Sequence, residues 1–189
     1  NQAANDKKEE MEDLVSLGTV AYDPVWIFYR AESAKKLGKD ALVSALPQMR
    51  GWRVNVGVRG SGTPGITGRI FAANFVERDE LKRSNLDETA AVVALLGGEL
   101  DAAVLVSPPE SQMVQMLLQT PGILVYEYAQ AESYARRYPF LSPVVLPRGV
   151  ADLSSSVDVY ALAASDLYRL GGEDLTAIVN TARRRNRSL

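Results

Sequence analysis

A strand, a glycine-rich turn and a helix follow one another between Arg53 and Ala73, and this unit constrains the fold more than any other stretch. Alternating valines before the turn are typical of a strand. The turn itself, Gly60-Ser61-Gly62, can be tight because glycine readily adopts positive φ angles. Thr63 can cap the following helix and Pro64 suits its first position. The sequence therefore predicts a helix N-terminus directly behind a strand.

The residues of this turn are candidates for binding an anion. The first N–H groups of a helix lack partners within the helix, and the helix dipole adds positive potential there. We therefore expect Gly60, Ser61, Gly62 and Thr63 to hold a carboxylate or a similar anion, with both hydroxyl groups as further donors. A plain strand-to-helix connector is the alternative, and these residues alone leave both interpretations open. A P-loop is excluded, because no Lys-Ser/Thr pair follows the glycines.

Composition removes several classes of function. The chain has no cysteine and no histidine, which excludes thiol catalysis, histidine-based triads and the usual zinc sites. With 21 basic and 23 acidic residues the net charge is −2, so no overall positive field favours nucleic acid. We expect no cofactor, no metal and no nucleic-acid partner.

Strand-like and helix-like stretches alternate along the chain. This order predicts an α/β fold, with a mostly parallel sheet flanked by helices on both faces. The predicted strands are 25–29, 54–58, 99–106, 122–127, 144–146 and 157–163. The predicted helices are 32–47, 63–75, 87–97, 111–118, 129–138 and 174–185. In the helix over 87–97, Ala90, Val93, Ala94 and Leu96 are expected to face the core.

Two further pairs of residues are candidates for the same site. In α/β sheets, ligands bind beyond the carboxyl ends of the strands, where the glycine turn and Ser107-Pro108 would both lie. These two loops converge only if their strands are neighbours. Tyr22 and Trp26 lie beside a proline at the start of an aromatic strand. They are expected either to line the cleft with their polar tips or to be buried in the sheet.

An enzymatic role is not expected. Glu99 and Asp101 could act as a pair of acid and base. A structural role is favoured for Asp101, because the end of a neighbouring helix can bind its carboxylate. Without histidine, cysteine or a nucleophile elbow, the chain offers no other catalytic residues.

Five segments occur in an order that is familiar from one protein family: Thr19–Arg30, Val56–Thr63, Leu96–Val104, Tyr138–Leu141 and Leu146–Val150. Together they resemble the solute-binding subunit of TRAP transporters of the TAXI type, a branch of the periplasmic binding proteins. No single segment is specific, but the five in order make coincidence improbable.

The resemblance implies a fold of two α/β lobes that close on a small solute. It implies binding of a small carboxylate, such as an amino acid or a dicarboxylate, without turnover, and delivery to a TRAP-type membrane permease. It also implies a periplasmic or extracytoplasmic location, either free or tethered to the membrane. By the same resemblance, Tyr22 and Trp26 lie in the crossing strand by the cleft, Gly60–Thr63 form the anion turn, and Ser107 and Pro108 form a second wall.

The resemblance covers about 19–170, so we expect a lead-in over 1–18, an α/β domain over 19–170 and a C-terminal helix over 171–189. Only 18 residues precede Thr19, so the α/β domain should correspond mainly to the second lobe with its crossing strands. An interaction or sensor domain is the alternative. Such a domain would form a homodimer or dock on a membrane partner through the aromatic stretch Tyr22–Tyr29.

Overall fold

The computed structural model describes residues 22–38, 42–146 and 159–164. The expected lead-in, the expected C-terminal helix and the segment 147–150 lie outside these residues. The strands are β1 (Asp23–Arg30), β2 (Arg53–Asn55), β3 (Lys82–Ser84), β4 (Ala102–Val106), β5 (Ile123–Val125), β6 (Leu141–Leu146) and β7 (Val159–Ala164). The α-helices are α1 (Ala31–Ala34), α2 (Thr63–Ala73), α3 (Glu88–Gly97), α4 (Gln112–Gln119) and α5 (Ala131–Arg137). None of these helices has the length and apolar character needed to cross a bilayer.

The strands form one sheet in the order β3-β2-β4-β1-β7-β6, with β5 also paired to β1. β2 runs parallel to both β3 and β4. β1 is antiparallel to β4, β5 and β7, and β6 is antiparallel to β7. The sheet is therefore mixed, and the expected parallel arrangement holds only for β3, β2 and β4. The strands that pair with β1 come from distant parts of the chain, so no βαβ connection sets their direction.

β1 lies at the centre of the sheet and is buried on both faces. Its residues from Pro24 to Tyr29 are all buried, as expected for an aromatic and β-branched strand between two layers of helices. One edge of β1 pairs with β4 along Val25–Tyr29. β7 and β5 share the other edge, at the beginning and at the end of β1 respectively.

Two hydrophobic layers cover the two faces of the sheet. Side chains alternate along β1, so Ile27 and Tyr29 pack in the layer that contains residues of α2 and α5. Trp26 and Phe28 pack in the layer that contains residues of α3 and α4, with their rings stacked at 5.7 Å between centroids. The prediction of an α/β fold with helices on both faces is confirmed.

Two helix predictions need correction. The segment 32–47 is not one helix: α1 and a 3₁₀ turn end at Gly38, whose φ of +151° is a conformation that side chains disfavour. The helix around 87–97 exists, and Asp87 caps its N-terminus by accepting a hydrogen bond from the Ala90 amide at 2.8 Å. Its buried residues, however, are Ala91, Val92, Ala94 and Leu95, whereas Val93 is 65% exposed.

Asp101 joins three segments at the edge where β2 and β4 begin. Its carboxylate accepts hydrogen bonds from the Ser33 hydroxyl at 2.8 Å and from the Arg53 guanidinium at 2.9 and 3.0 Å. The Arg53 amide also donates to it, at 2.9 Å. Burial alone would raise the pKa of the Asp101 carboxyl, but these bonds outweigh burial and lower the pKa to about 2. Asp101 thus has a structural role, but its main partner is Arg53 of β2 and not the end of a helix as expected.

We expect Asp101→Asn to lower the free energy of unfolding by about 1–3 kcal/mol near neutral pH, because the hydrogen bonds to a charged carboxylate are lost. A carboxyl whose pKa is lowered in the folded state stabilises the fold at pH values above its pKa in the unfolded chain. This stabilisation is lost as the pH falls from the unfolded-state pKa towards the folded-state pKa. The difference between the wild type and the variant should therefore shrink when urea unfolding is measured at progressively lower pH. Asp79→Asn is the control, because Asp79 is exposed. A difference that does not depend on pH would contradict this account.

Candidate functional site

The segments that follow β2, β3 and β4 lie together at one edge of the sheet. β2 and β4 are parallel neighbours, with Val54 opposite Ala102 and Asn55 opposite Ala103. β3 runs parallel to β2 on its other side. The glycine turn and the loop that contains Ser107 therefore leave the sheet at the same edge, as a binding site beyond the carboxyl ends of the strands requires.

The glycine turn brings α2 close to the end of β2. Gly57 and Gly60 have φ angles of +90° and +91°. Gly57 is also buried against α2: a Cβ at this position would lie 2.6 Å from Cβ of Thr63. Gly62 is the N-cap residue and α2 begins at Thr63, so Thr63 is the first helical residue and not the cap.

Only part of the turn is available to a ligand. The amide and the hydroxyl of Ser61 both donate to the carbonyl of Val58, at 3.3 and 2.9 Å, so the hydroxyl is not the free donor that the sequence led us to expect. The amides of Gly62 and Thr63 have no acceptor among the described residues. The Gly60 amide likewise has no acceptor among the described residues, so these three N–H groups and the Thr63 hydroxyl are the donors that the turn can present to an anion.

Two asparagines hold the turn against the segment that follows β3. The buried Asn55 side chain accepts from the Leu86 amide at 2.8 Å and donates to the Leu86 carbonyl at 3.2 Å. Asn85 donates to the carbonyl of Gly57 at 2.8 Å. These bonds fix the segment that leads into the turn, and α2 begins directly after the turn, so its free amides are held in a defined position.

A pocket of about 180 Å³, here called the edge pocket, lies at the ends of these strands. Ser61 and Thr63 of the turn line it, as do Asp87 and Glu88 at the start of α3. Val104, Leu105 and Val106 of β4 add apolar lining. The edge pocket therefore combines Thr63, whose amide is free, with two acidic residues.

Of the two acidic residues that line the edge pocket, Glu88 has a carboxylate bound by two serine hydroxyls. The Ser107 hydroxyl donates to its carboxylate, 3.1 Å from either oxygen, and the Ser111 hydroxyl donates to Oε1 at 3.4 Å. Ser107 itself is buried. Glu88 could not be singled out from the sequence, because an acidic residue in the first turn of a helix is common for electrostatic reasons alone.

A second pocket, here called the arginine pocket, lies on another side of the glycine turn. Its volume is about 580 Å³, and Gly60, Ser61, Arg59, Arg78 and Arg83 are among its lining residues. Burial and the nearby charge of Arg78 lower the pKa of Arg83. None of these arginines was expected in a site, because the fold brings Arg59 to Arg78 and Arg83 from a separate segment of the chain.

A profile of the NMT1-like family matches residues 3–169. The chain belongs to the NMT1-like family. This match includes all of the residues that form the two pockets.

Solved structures of periplasmic binding proteins are similar to this NMT1-like chain over most of its length. The aliphatic sulphonate binding protein SsuA from Escherichia coli shares 16% identity over 90% of this chain, with a TM-score of 0.48. The arginine-bound, truncated ArgBP from T. maritima shares 15% identity over 94% of this chain, with a TM-score of 0.41. This chain spans 46% of that SsuA chain and 62% of that ArgBP chain. Identities and TM-scores this low do not allow the ligand or the activity of these proteins to be assigned to this chain.

Trp26 cannot contact a solute in this NMT1-like structure, which corrects one expected site residue. It is 1% exposed, and its indole N–H donates to the Ser107 carbonyl at 2.9 Å. Most of the stretch Tyr22–Tyr29 is likewise buried in the sheet, so this stretch is not the exposed docking surface that the alternative function needs.

The remaining candidates lie around the same sheet edge. Tyr22 is half-buried just before β1, whose start pairs with the end of β4. Ser107 does not line the edge pocket, but its hydroxyl orients Glu88, which does. Pro108 is exposed and lines neither the edge pocket nor the arginine pocket.

We expect Gly57→Ala to destabilise the fold more than Gly60→Ala. Both substitutions place a side chain at a positive φ, which costs about 1–3 kcal/mol. Only at Gly57 would the new Cβ also collide with Thr63, whereas no atom lies within 4 Å of the corresponding position at Gly60. Urea unfolding of both variants measures the difference. Equal losses of stability would mean that close packing of Gly57 under α2 is unimportant.

Proposed function

We propose that this NMT1-like chain is a solute-binding module that takes a small amino acid in the edge pocket, without turnover. One observation carries the proposal: Thr63, with its free amide, and the oriented carboxylate of Glu88 line the same pocket of about 180 Å³. The turn would bind the carboxylate of the amino acid, and Glu88 would bind its ammonium group.

The charges of the edge pocket favour an amino acid over a dicarboxylate. The turn supplies the partial positive charge of a helix N-terminus, whereas Asp87 and Glu88 each bring a full negative charge. A second carboxylate about 4 Å from Glu88 would be repelled by about 4 kcal/mol at an effective dielectric constant of about 20. An ammonium group at the same place would be attracted by a similar amount.

The two serines near Glu88 would help to select the ligand. Their hydroxyl groups donate to the carboxylate of Glu88 and leave its remaining lone pairs for an incoming donor. A ligand without an ammonium group would leave this charge unpaired in the pocket, which is unfavourable. Specificity would thus come from a charge that is already in place before the ligand arrives.

We further propose that the chain acts outside the cytoplasm and delivers its solute to a TRAP-type membrane permease of the TAXI class. The five ordered sequence segments support this subtype, and membership of the NMT1-like family is compatible with it. The edge pocket is not fully enclosed. A bound amino acid would stay partly hydrated, so we expect weak binding by this chain, with a Kd of about 1 mM.

We expect titration calorimetry and thermal shift to detect binding of a small amino acid, and much weaker binding of succinate or glutarate. Glu88→Gln should weaken binding of the amino acid by about tenfold or more, because an amide cannot replace the charge that binds the ammonium group.

Glu132→Gln is the matched control, since Glu132 is exposed on α5 and lines neither the edge pocket nor the arginine pocket. Unchanged amino-acid affinity in Glu88→Gln, or tighter binding of the dicarboxylates, would overturn the assignment of the edge pocket. If mass spectrometry showed that the bound amino acid is consumed, the proposal that the chain binds its solute without turnover would be wrong.

A further inference from the structure

Arg59, Arg78 and Arg83 form a concentration of positive charge that the proposed amino-acid site does not use. All of them line the arginine pocket, and none has an ion-pair partner among the described residues. Other arginines of the chain do bind carboxylates: Arg30 binds Glu32, Arg50 binds Glu80 and Arg53 binds Asp101.

The acidic residues nearest in sequence do not neutralise this charge. The Glu80 carboxylate is bound by Arg50 at 2.7 Å. Glu77 and Asp79 are exposed, do not line the arginine pocket, and form no ion pair with these arginines. The Arg59 side chain makes a hydrogen bond to Asn85 at 3.3 Å, which orients it but leaves its charge uncompensated. Guanidinium groups of like charge repel each other when they share a pocket, and an anion between them relieves that repulsion.

The arginine pocket continues into an apolar groove between α2 and the segment that leads to β3. The groove has a volume of about 500 Å³ and shares Val56, Pro64, Arg78, Leu81 and Arg83 with the arginine pocket. Its further lining includes apolar side chains of α2 and of the following loop, namely Phe71, Ala72 and Val76. A pocket lined by arginines thus adjoins a largely apolar groove, whose lining also contains Arg69 and Glu77.

We propose that these two compartments form a second ligand site, which binds a small molecule with a doubly charged anionic head and an apolar body. The head would lie between Arg78 and Arg83, which line both compartments, with Arg59 as a further partner. Guanidinium groups suit phosphate monoesters and paired carboxylates, since they offer planar sets of donors. The apolar body would lie along α2 in the groove.

The second site differs from the proposed amino-acid site in its charged residues, although Ser61 lines both the arginine pocket and the edge pocket. The edge pocket contains Asp87 and Glu88 and no arginine, whereas the arginine pocket contains three arginines and no carboxylate. The two pockets therefore favour ligands of different charge. A concave, partly apolar cavity of this size suits a small molecule better than a flat acidic surface of a partner protein.

Titration calorimetry with inorganic phosphate, hexyl phosphate, hexylsuccinate and hexanoate tests the proposal on the whole chain. We expect hexyl phosphate or hexylsuccinate to bind about tenfold or more tightly than hexanoate, which has one charge, and than inorganic phosphate, which has no apolar body. The comparison of hexyl phosphate with hexylsuccinate distinguishes a phosphoryl head from a dicarboxylate head. Saturation with the amino acid that binds best should not displace either ligand.

Variants separate the two compartments. Arg83→Gln and Arg78→Gln should each weaken binding of the preferred ligand by about tenfold, whereas Ala72→Leu should weaken the hexyl ligands and leave inorganic phosphate unchanged. Arg136→Gln is the matched control, because Arg136 is exposed on α5 and lines neither compartment. Thermal unfolding of each variant verifies that it is folded.

Several results would overturn the second site. The proposal is wrong if neither hexyl ligand binds at concentrations up to about 10 mM. It is also wrong if Arg136→Gln and Arg83→Gln lose the same affinity, because such a result indicates only a general attraction of anions. If hexyl phosphate and inorganic phosphate bound with equal affinity, the groove would not bind an apolar body. Loss of hexyl phosphate binding in Glu88→Gln would show that the two pockets are not independent.

Discussion

The burial of β1 on both faces of the sheet is the constraint on which the rest of the structure depends. This strand separates two hydrophobic layers, and its alternating side chains divide between them: Ile27 and Tyr29 on one side, Trp26 and Phe28 on the other. Because β1 pairs with β4 along most of its length, it also fixes where β4 ends. The position of the sheet edge that forms the candidate site follows from this pairing.

A chain of hydrogen bonds connects that buried strand to the proposed ligand contacts. The indole of Trp26 donates to the carbonyl of Ser107, and the hydroxyl of Ser107 donates to the carboxylate of Glu88. Of the two expectations for this tryptophan, burial in the sheet holds, and its indole binds the loop that orients an acidic side chain. A buried residue can in this way affect specificity without reaching the ligand, because well-packed donors fix the geometry of the groups that they bind.

The sequence predicted the features that local chemistry determines and missed those that depend on tertiary packing. The glycine turn and the start of α2 were recognised because glycine and proline punctuate the chain strongly. The buried face of α3 was misplaced, since apolar residues occupy nearly every position of this helix and Val93 could not be told from Leu95. Lys82–Ser84 was not recognised as a strand because its side chains are polar, as those of edge strands often are. Glu88 and Arg83 gained their proposed roles only through neighbours that are distant in sequence.

β3 is an outermost strand of the sheet, so one of its edges has no partner strand among the described residues. An outermost strand can recruit a strand from another molecule and so start aggregation, unless it is short or charged. β3 has only three residues, and Lys82 and Arg83 are two of them. The positive charges of two copies of β3 would repel each other and so oppose this pairing. Arg83, which lines the arginine pocket, would therefore also help to keep the protein soluble. Selection for solubility and selection for ligand recognition would then act on the same side chain.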